Sequence, residues 1–276
     1  MLLKTIAALS LPLAALLYFG LNAPLWALPL LYVLCFLLCL LLAVGFLALV
    51  CAPVDIRKPQ HEDSPFYRTV MYLYIELAIQ LVGLKVDTAG LERIPTGRRF
   101  LLVCNHQSEV DPGILHHFFS KSQLAFISKK ENADMIFVGK IMHKTLCQMV
   151  NRENDREALK TIIKCIQMIK EDKVSVCVFP EGGIYEKDKL NHFRPGVFKI
   201  AQKTGVPIVV CTLKGTSDVL HNLVHLKRSR VRLHLVDIIP ARELEGKTTV
   251  QVGEQVYKLM LEDLGEEYRP AATQNT

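Results

Sequence analysis

The stretch RFLLVCNHQSEVD, residues 99–111, joins an apolar run to a polar segment that begins with Asn105 and His106. Further β-prone runs follow along the chain at residues 124–127, 146–150, 174–179, 207–212 and 231–238. Predominantly apolar runs are typical of strands buried on both faces of a sheet, and strands that alternate with helices favour parallel pairing. We therefore predict an α/β domain over residues 99–269, with a largely parallel sheet flanked by helices.

The clearest helical pattern lies between two of these runs, at residues 155–172, where isoleucines at helical spacing face a row of basic residues. In folds of this class, ligands bind beyond the carboxyl ends of the strands. Two predicted strands end in polar motifs: 99–104 leads into His106, and 174–179 leads into Pro180-Glu181-Gly182-Gly183. We expect the functional site where these two strand ends meet.

The amino-terminal part of the chain is uncharged and apolar. No Asp, Glu, Lys, Arg or His occurs between Lys4 and Asp55, and the mean hydropathy of the whole chain is +0.25. A single helix needs about 20 residues to cross a bilayer, so this run is long enough for two. Gly20, Asn22 and Pro24 supply turn residues near its middle. We predict a transmembrane hairpin within residues 1–54, with helices near 4–21 and 29–52.

A cleaved signal peptide is the alternative interpretation of this run, because Lys4 precedes an apolar stretch of suitable size. A second apolar segment follows at once, however, where a polar mature start would be expected. Lys4 on one side of the pair, and Arg57 with Lys58 on the other, would place the basic flanks of a hairpin on one membrane face. We therefore expect an integral membrane protein whose catalytic domain lies on the cytoplasmic face.

Residues 55–98 are predicted to form an amphipathic interfacial helix and a connector. The apolar positions between Pro65 and Val86 have helical spacing. Such a helix lies on a bilayer surface or packs against the globular domain, and the sequence leaves both alternatives open. Residues 270–276 are polar and are expected to form a flexible tail.

Charge and cysteine usage limit the classes of partner. The eight cysteines form no CxxC pair and no Cys/His metal spacing, so neither disulfides nor a metal site is indicated. The formal net charge of +6 suits anionic lipid headgroups, and it also suits nucleic acid. The membrane run favours lipid, and we predict no nucleic-acid partner.

The segment after the first strand contains a histidine and an aspartate five residues apart, His106 and Asp111. Only residues three or four apart share a helix face, so a turn must bring these two side chains together. The carboxylate would then hold one imidazole nitrogen and leave the other free as a base. Asp111 followed by Pro112 is also typical of a helix N-cap, and the two roles are compatible. The chain has no GxSxG elbow and no Cys-His signature, which favours a histidine that acts directly on a substrate hydroxyl.

Taken in order, the motifs over residues 100–212 resemble those of the glycerophospholipid acyltransferase family, and most closely its 1-acylglycerol-3-phosphate acyltransferases. The matching segments are NHQSEVD at 105–111, Val150-Asn151-Arg152, Phe179-Pro180-Glu181-Gly182 and Val206-Pro207-Ile208-Val209. A lone NHxxxxD pattern would be weak, but the FPEG block about seventy residues later makes the resemblance specific.

The resemblance implies a function and roles for particular residues. His106 and Asp111 would form the catalytic dyad, and the arginine at the position of Arg152 is associated with the acceptor phosphate. The implied reaction moves a fatty acyl group from an acyl-CoA or acyl-carrier-protein thioester to the sn-2 hydroxyl of 1-acylglycerol 3-phosphate, a membrane lipid acceptor, giving phosphatidate. Neither a metal nor a bound cofactor is implied.

The residues of the acceptor side also have physical interpretations. Arg152 would form a bidentate pair with a phosphate, or it is a solvated charge beside Glu153. The backbone of Gly182 and Gly183 would approach a ligand closely and bind an anion, or it forms an ordinary turn. Glu181 would bond a glycerol hydroxyl or hold a basic neighbour. We expect all four of these residues to bind substrate.

Two segments depart from the family pattern on this side. Many relatives continue the third block as EGTRS, whereas this chain has EGGIY, and the second block is weakened to Met149-Val150-Asn151-Arg152. Acyl transfer is therefore better supported than the identity of the acceptor. The alternatives are an acyltransferase for another lysophospholipid and a non-catalytic lipid-binding membrane protein of the same fold. A hydrolase is a weaker third possibility.

Overall fold

A seven-stranded sheet forms the centre of the protein in the computed structural model, which describes residues 1–151 and 154–270. Its strands are β1 Lys85–Ala89, β2 Leu101–Cys104, β3 Leu124–Lys129, β4 Gln148–Val150, β5 Ser175–Val178, β6 Ile208–Lys214 and β7 Arg230–Ile239. Their spatial order is β1-β7-β6-β2-β5-β3-β4. The six predicted strands are all present.

The pairing of the strands is largely parallel, which confirms the predicted fold class. β6, β2, β5, β3 and β4 are parallel to one another, β7 is antiparallel to β6, and β1 is parallel to β7. β1 was not predicted from the sequence. It is an edge strand whose residues, KVDTA, are mostly exposed, so it lacks the apolar run by which the buried strands were identified.

Helices cover both faces of this sheet. The helices of the chain are α1 Leu2–Gly20, α2 Ala27–Cys51, α3 Pro65–Val82, α4 Asp111–Phe118, α5 Val138–Lys144, α6 Asp155–Lys170, α7 Lys199–Thr204, α8 Val219–Val224 and α9 Thr249–Leu264. Of these, α1 and α2 pack against each other and against α3. One apolar core lies between the sheet and α6, α7 and α9, and a second lies on the opposite face under α4. α6 begins at the N-cap Asn154, whose side chain accepts hydrogen bonds from two backbone N–H groups.

The two amino-terminal helices begin and end within two residues of the predicted hairpin helices. The turn between them contains Asn22, which has a positive φ of 47°, a conformation that asparagine tolerates better than most residues. Both helices are long and apolar enough to cross a membrane. At 1.5 Å per residue, the 25 residues of α2 extend about 37 Å.

α3 packs on the globular domain, which was one of the two alternatives left open for the amphipathic segment. Its Val70 and Met71 share a buried cluster with Leu47 of α2 and Ile141 of α5. It also carries a buried arginine, Arg68, which the sequence did not single out.

Arg68 joins three parts of the fold through its guanidinium. Nε and Nη2 bond the carboxylate of Asp63 at 2.8 and 2.6 Å. Nη1 donates to the carbonyl oxygen of Leu124 at 2.9 Å, and Nη2 donates to that of Thr145 at 3.2 Å. The arginine therefore fixes α3 to the start of β3 and to the end of α5.

Candidate active site

The two polar motifs meet at one edge of the sheet because the strands before them are parallel neighbours. β2 and β5 pair in register from Leu101 with Val176 to Val103 with Val178, so the residues that follow them emerge side by side. The backbone N–H of His106, just after β2, donates to Oε1 of Glu181, just after β5, at 2.7 Å. We call this edge, at the carboxyl ends of β2 and β5, the carboxyl edge.

His106 and Asp111 form the hydrogen bond that their spacing predicted. His106 Nδ1 lies 2.9 Å from Asp111 Oδ2. The same oxygen accepts from the backbone N–H groups of Gln107 at 2.7 Å and Ser108 at 2.8 Å, and these bonds close the required turn. Since the carboxylate is an acceptor, this contact favours the neutral tautomer that has its proton on Nδ1 and the lone pair on Nε2. The histidine side chain is 13% exposed, whereas the aspartate is fully buried.

The structure does not show Asp111 as the N-cap of a helix. Asp111 is the first residue of α4, Val110 occupies the N-cap position, and no side chain caps this helix end. The carboxylate turns back to the preceding turn, toward Gln107 and Ser108. Its second oxygen, Oδ1, is buried without a hydrogen-bond partner among the described residues. A buried carboxylate of this kind stabilises positive charge on the imidazole beside it.

The imidazole ring is also held by an aromatic stack. The rings of His106 and Phe179 lie 4.1 Å apart between centroids, with an interplanar angle of 12°. Phe179 in turn contacts Phe126 of β3. The first residue of the FPEG block therefore orients the histidine from the side, a role that the sequence had not assigned to it.

Glu181 is 2% exposed, and both of its carboxylate oxygens bond protein groups. Oε1 accepts from the His106 N–H, and Oε2 accepts from the backbone N–H and the side-chain Nδ2 of Asn191, both at 2.9 Å. Burial raises the pKa of this carboxyl, although the hydrogen bonds from Asn191 and His106 oppose the shift. Glu181 thus fixes the backbone at His106, while contact with substrate stays a prediction.

The two glycines after Glu181 have different surroundings. The N–H of Gly182 donates to the carbonyl oxygen of Phe179 at 3.0 Å, as in an ordinary turn. Its φ is +78°, a backbone conformation that favours glycine. A Cβ there would lie 2.8 Å from Nε of Arg194, whose side chain would have to shift. Gly183 lies on the wall of the cavity described next. Arg152, the predicted phosphate ligand, lies outside the described residues.

A cavity of about 580 Å³ extends from His106 between β3, α3, α4 and α5 as far as α2. Its wall is mostly apolar and includes Leu47, Ile75, Phe126, Val138, Ile141 and Phe179. This volume and lining are typical of a small-molecule site. No single segment of sequence predicts the cavity, because five elements distant along the chain form it.

Two buried side chains on the cavity wall are poor reactants. Burial, with the nearby charge of Arg68, lowers the pKa of His116 to about 3, so this imidazole is neutral. Burial also raises the pKa of the Cys147 thiol, which disfavours the nucleophilic thiolate. Among residues 1–151 and 154–270, no group of three His, Cys, Asp or Glu side chains is placed to hold a metal ion.

Comparison with known proteins identifies the same region. The model of the Acyltransferase family matches residues 85–214, which contain His106, Asp111 and the FPEG block. A probable 1-acyl-sn-glycerol-3-phosphate acyltransferase of Mycoplasma pneumoniae is 29% identical over 202 residues, 70% of this chain and 75% of that protein. The 1-acyl-sn-glycerol-3-phosphate acyltransferase of Borreliella burgdorferi is 27% identical over 66% of this chain and 74% of its own length.

A solved structure extends the likeness to the fold. The crystal structure of the 1-acyl-sn-glycerophosphate acyltransferase PlsC from Thermotoga maritima superposes with a TM-score of 0.62. The two chains are 21% identical, and the match covers 83% of this chain and 90% of that one. The matched domain contains the His106–Asp111 pair, and the relatives match most of the chain. On these grounds residues 85–214 form a domain of the Acyltransferase family, and the chain is an acyltransferase.

Proposed function

We propose that this acyltransferase moves a fatty acyl group from an acyl thioester, of CoA or of acyl carrier protein, to the sn-2 hydroxyl of 1-acylglycerol 3-phosphate. The product would be phosphatidate for phospholipid biosynthesis. The observation that carries the proposal is the hydrogen-bonded pair of His106 and Asp111 at the mouth of an apolar cavity. The choice of acceptor is supported by the relatives, which are named for that substrate.

In the proposed reaction, His106 is the general base and no acyl-enzyme forms. Nε2 takes the proton of the acceptor hydroxyl as its oxygen attacks the thioester carbonyl. The C–O bond forms, the C–S bond breaks, and the departing sulfur takes the proton from the imidazolium. Asp111 stabilises the imidazolium between these two proton transfers. Phe179 and Glu181 would act as positioning residues that hold the ring and the backbone of His106.

Replacing Asp111 by asparagine is expected to lower kcat by about 10²-fold while leaving the fold intact. An asparagine oxygen can still accept from the N–H groups of Gln107 and Ser108, but it brings no negative charge to the imidazole. Single-turnover kinetics and thermal unfolding of Asp111→Asn would be measured together. An unchanged kcat would give the aspartate a purely structural role.

The apolar cavity is proposed to hold the acyl chain. Gly113 of α4 lies on its wall, and a Cβ there would find only Ile75 Cγ2, at 4.0 Å. Gly113→Leu should therefore place its Cβ without a close contact and fill part of the cavity with the rest of its side chain. Each methylene of the acyl chain that the leucine displaces from the cavity should lower kcat/KM about fourfold, which corresponds to about 0.8 kcal/mol per buried CH₂.

A series of acyl donors of increasing length checks this expectation. Transfer of short chains should match the wild type, and transfer of long chains should fall. Equal loss at every length would indicate a folding defect. An unchanged length profile would place the acyl chain elsewhere.

The domain arrangement follows from the same proposal. Residues 1–54 would anchor the chain in the membrane. Residues 99–269 would carry the catalytic pair on the cytoplasmic face, and residues 55–98 would join the two parts while contributing α3 and β1 to the globular domain. The basic flanks Lys4, Arg57 and Lys58 support this orientation. Protease added to sealed vesicles of known orientation should cleave the α/β domain only when the cytoplasmic face is outside.

The test of the activity is an assay of the purified full chain with labelled acyl-CoA or acyl carrier protein and a panel of lysolipids. Turnover with 1-acylglycerol 3-phosphate supports the proposal. Turnover only with another lysolipid would favour the alternative acceptor, to which the altered EGGIY segment points. Lipid binding without turnover would indicate a non-catalytic member of the family, and release of free fatty acid without acceptor would indicate a hydrolase.

A further inference from the structure

An exposed apolar segment lies at the carboxyl edge, outside the cavity and the dyad. It comprises α8 and the residues that follow it, up to Arg228, and we call it the α8 segment (219–228). Leu220 and Leu223 are exposed, Val224 is 80% exposed, and Leu226 is 93% exposed. Lys227 and Arg228 follow directly and are exposed as well. Apolar side chains beside basic ones are typical of a surface that enters a lipid headgroup region.

The backbone at the tip of this segment is unusual for leucine. The N–H of Lys227 donates to the carbonyl of Asn222, and the N–H of Leu226 donates to that of Leu223, the pattern of a Schellman helix end. Leu226 occupies the left-handed position of this motif, with φ of 53°. Glycine usually takes this position, because a Cβ is strained there. The chain thus has a strained leucine whose side chain contacts little of the protein.

The topology puts the α8 segment on the same edge as His106. β6 is parallel to β2, so β6 ends at this edge, and β7 begins there because it is antiparallel to β6. The loop between them, residues 215–229, therefore lies at the carboxyl edge. It also contacts the end of α3: a Cβ at Gly83 would lie 3.8 Å from Cγ of Arg228, and the N–H of Lys85 donates to the carbonyl of Ser229.

The apolar hairpin leaves the domain at this edge as well. Tyr67 of α3 donates its hydroxyl hydrogen to the carbonyl of Val50, and Tyr74 donates to that of Ala43, so α2 runs antiparallel to α3. Sixteen residues of α2 precede Ala43, whereas only 8 residues of α3 follow Tyr74. At 1.5 Å per residue, the first part of α2 projects about 12 Å past the end of α3.

We propose that the α8 segment is a second membrane contact, which inserts Val224 and Leu226 into the lipid interface while Lys227 and Arg228 bind anionic headgroups. This second membrane contact depends on the proposed function in one respect, which is that the hairpin enters the membrane. The bilayer that receives the projecting hairpin then meets the domain at the carboxyl edge, where the α8 segment is exposed. Because the α8 segment lies on the edge of the domain that faces this bilayer, lipid is the partner that covers it.

A hydrogen-bond chain links this contact to the active-site turn. Ser217, just before α8, donates to Oδ1 of Asp188 at 2.8 Å, and the N–H of Asp188 donates to Oε1 of Gln107 at 2.7 Å. Docking of the α8 segment would therefore hold the carboxyl edge, and with it the turn at His106, against the bilayer from which the acceptor comes.

Tryptophan fluorescence in lipid vesicles tests the contact with the full chain. Trp26, in the hairpin turn, is the chain's one tryptophan, so Leu226→Trp is made in a Trp26→Phe background. The matched control is Val250→Trp, at a residue that is 52% exposed. Val250 lies near the opposite edge, because Lys247 accepts from Gln202 of α7, which leads into the start of β6. The vesicles contain phosphatidylcholine, phosphatidylglycerol and brominated lipid.

We expect brominated lipid to quench Leu226→Trp and to leave Val250→Trp unquenched. Equal quenching of both, or of neither, overturns the proposal. Shielding of Leu226→Trp from aqueous acrylamide without quenching by lipid would indicate a second copy of the chain on this surface, and would also overturn it. Quenching of Trp26 in the wild type reports separately on the hairpin, and acyl transfer by Leu226→Trp reports on the proposed activity.

Leu226→Gly separates a lipid contact from a structural role. Glycine relieves the strain at this position, so the Tm should be unchanged or higher. KM for acceptor embedded in vesicles should rise about tenfold, as expected when one leucine no longer enters lipid, while kcat stays unchanged. A lower Tm with an unchanged KM would contradict the proposal.

Discussion

His106→Ala is expected to lower kcat by about 10³-fold, within the range that general-base catalysis contributes. The variant removes the only group of the dyad that can take the acceptor proton, because Asp111 is fully buried and bonded to the turn. The apolar cavity proposed to hold the acyl chain remains, so the apparent affinity for the acyl donor should change little. Rapid-quench measurement of a single turnover with labelled acyl-CoA would give the rate of the chemical step.

Two controls make this prediction specific. His61→Ala, at an exposed histidine far along the chain from the dyad, should retain wild-type kcat. Thermal unfolding should show that His106→Ala still folds, since the buried neighbours Glu181 and Asp111 keep their bonds to backbone N–H groups. If His106→Ala folded, bound the donor and still turned over at the wild-type rate, the proposed mechanism would be wrong.

Arg68→Met is expected to have the largest effect on stability. It would leave the carboxylate of Asp63 buried without its cation, and it would remove the guanidinium donor from the carbonyls of Leu124 and Thr145. Breaking a buried ion pair in this way costs about 3–5 kcal/mol. For a domain of this size, the expected fall in Tm is about 10 °C. Thermal unfolding in detergent, followed by circular dichroism, would measure it.

The matched variant is Arg68→Met combined with Asp63→Leu, which removes both charges. It should recover part of the lost Tm, because two apolar residues replace an ion pair at less cost than one unpaired charge. Arg68→Lys should be intermediate, since lysine keeps the charge but lacks the planar fork that reaches both carbonyls. If Arg68→Met unfolded at the wild-type temperature, α3 would not depend on this arginine for its position.

The fold was largely predictable because burial leaves a local pattern in the sequence. Each buried strand contains consecutive apolar residues, and the amino-terminal hairpin is uncharged from Thr5 to Val54. β1 was missed because an exposed edge strand has no such pattern. Arg68 was missed for the opposite reason. A buried arginine has the same sequence signal as an exposed one, and only its hydrogen-bond partners in the fold explain its burial.

The site was predicted in part. The spacing of His106 and Asp111 indicated a turn, and the turn exists. The sequence could not decide which backbone groups the aspartate would bond, and its capping role is absent. Glu181 was expected to bind substrate, but its described hydrogen bonds are to His106 and Asn191. Its bond to His106 joins residues 75 positions apart, and only the neighbouring positions of β2 and β5 bring them together.

By itself, the sequence determined the apolar hairpin, the alternation of strands with helices, and the motif RFLLVCNHQSEVD that ends in the His106–Asp111 pair. These depend on local spacing and on burial of the residue itself, which short segments encode. The tertiary structure alone decided the cavity beside His106, the stacking of Phe179, the anchoring of α3 by Arg68, and the position of Leu226 beside the departing hairpin. These depend on strand order and on contacts between distant segments, which no single segment specifies.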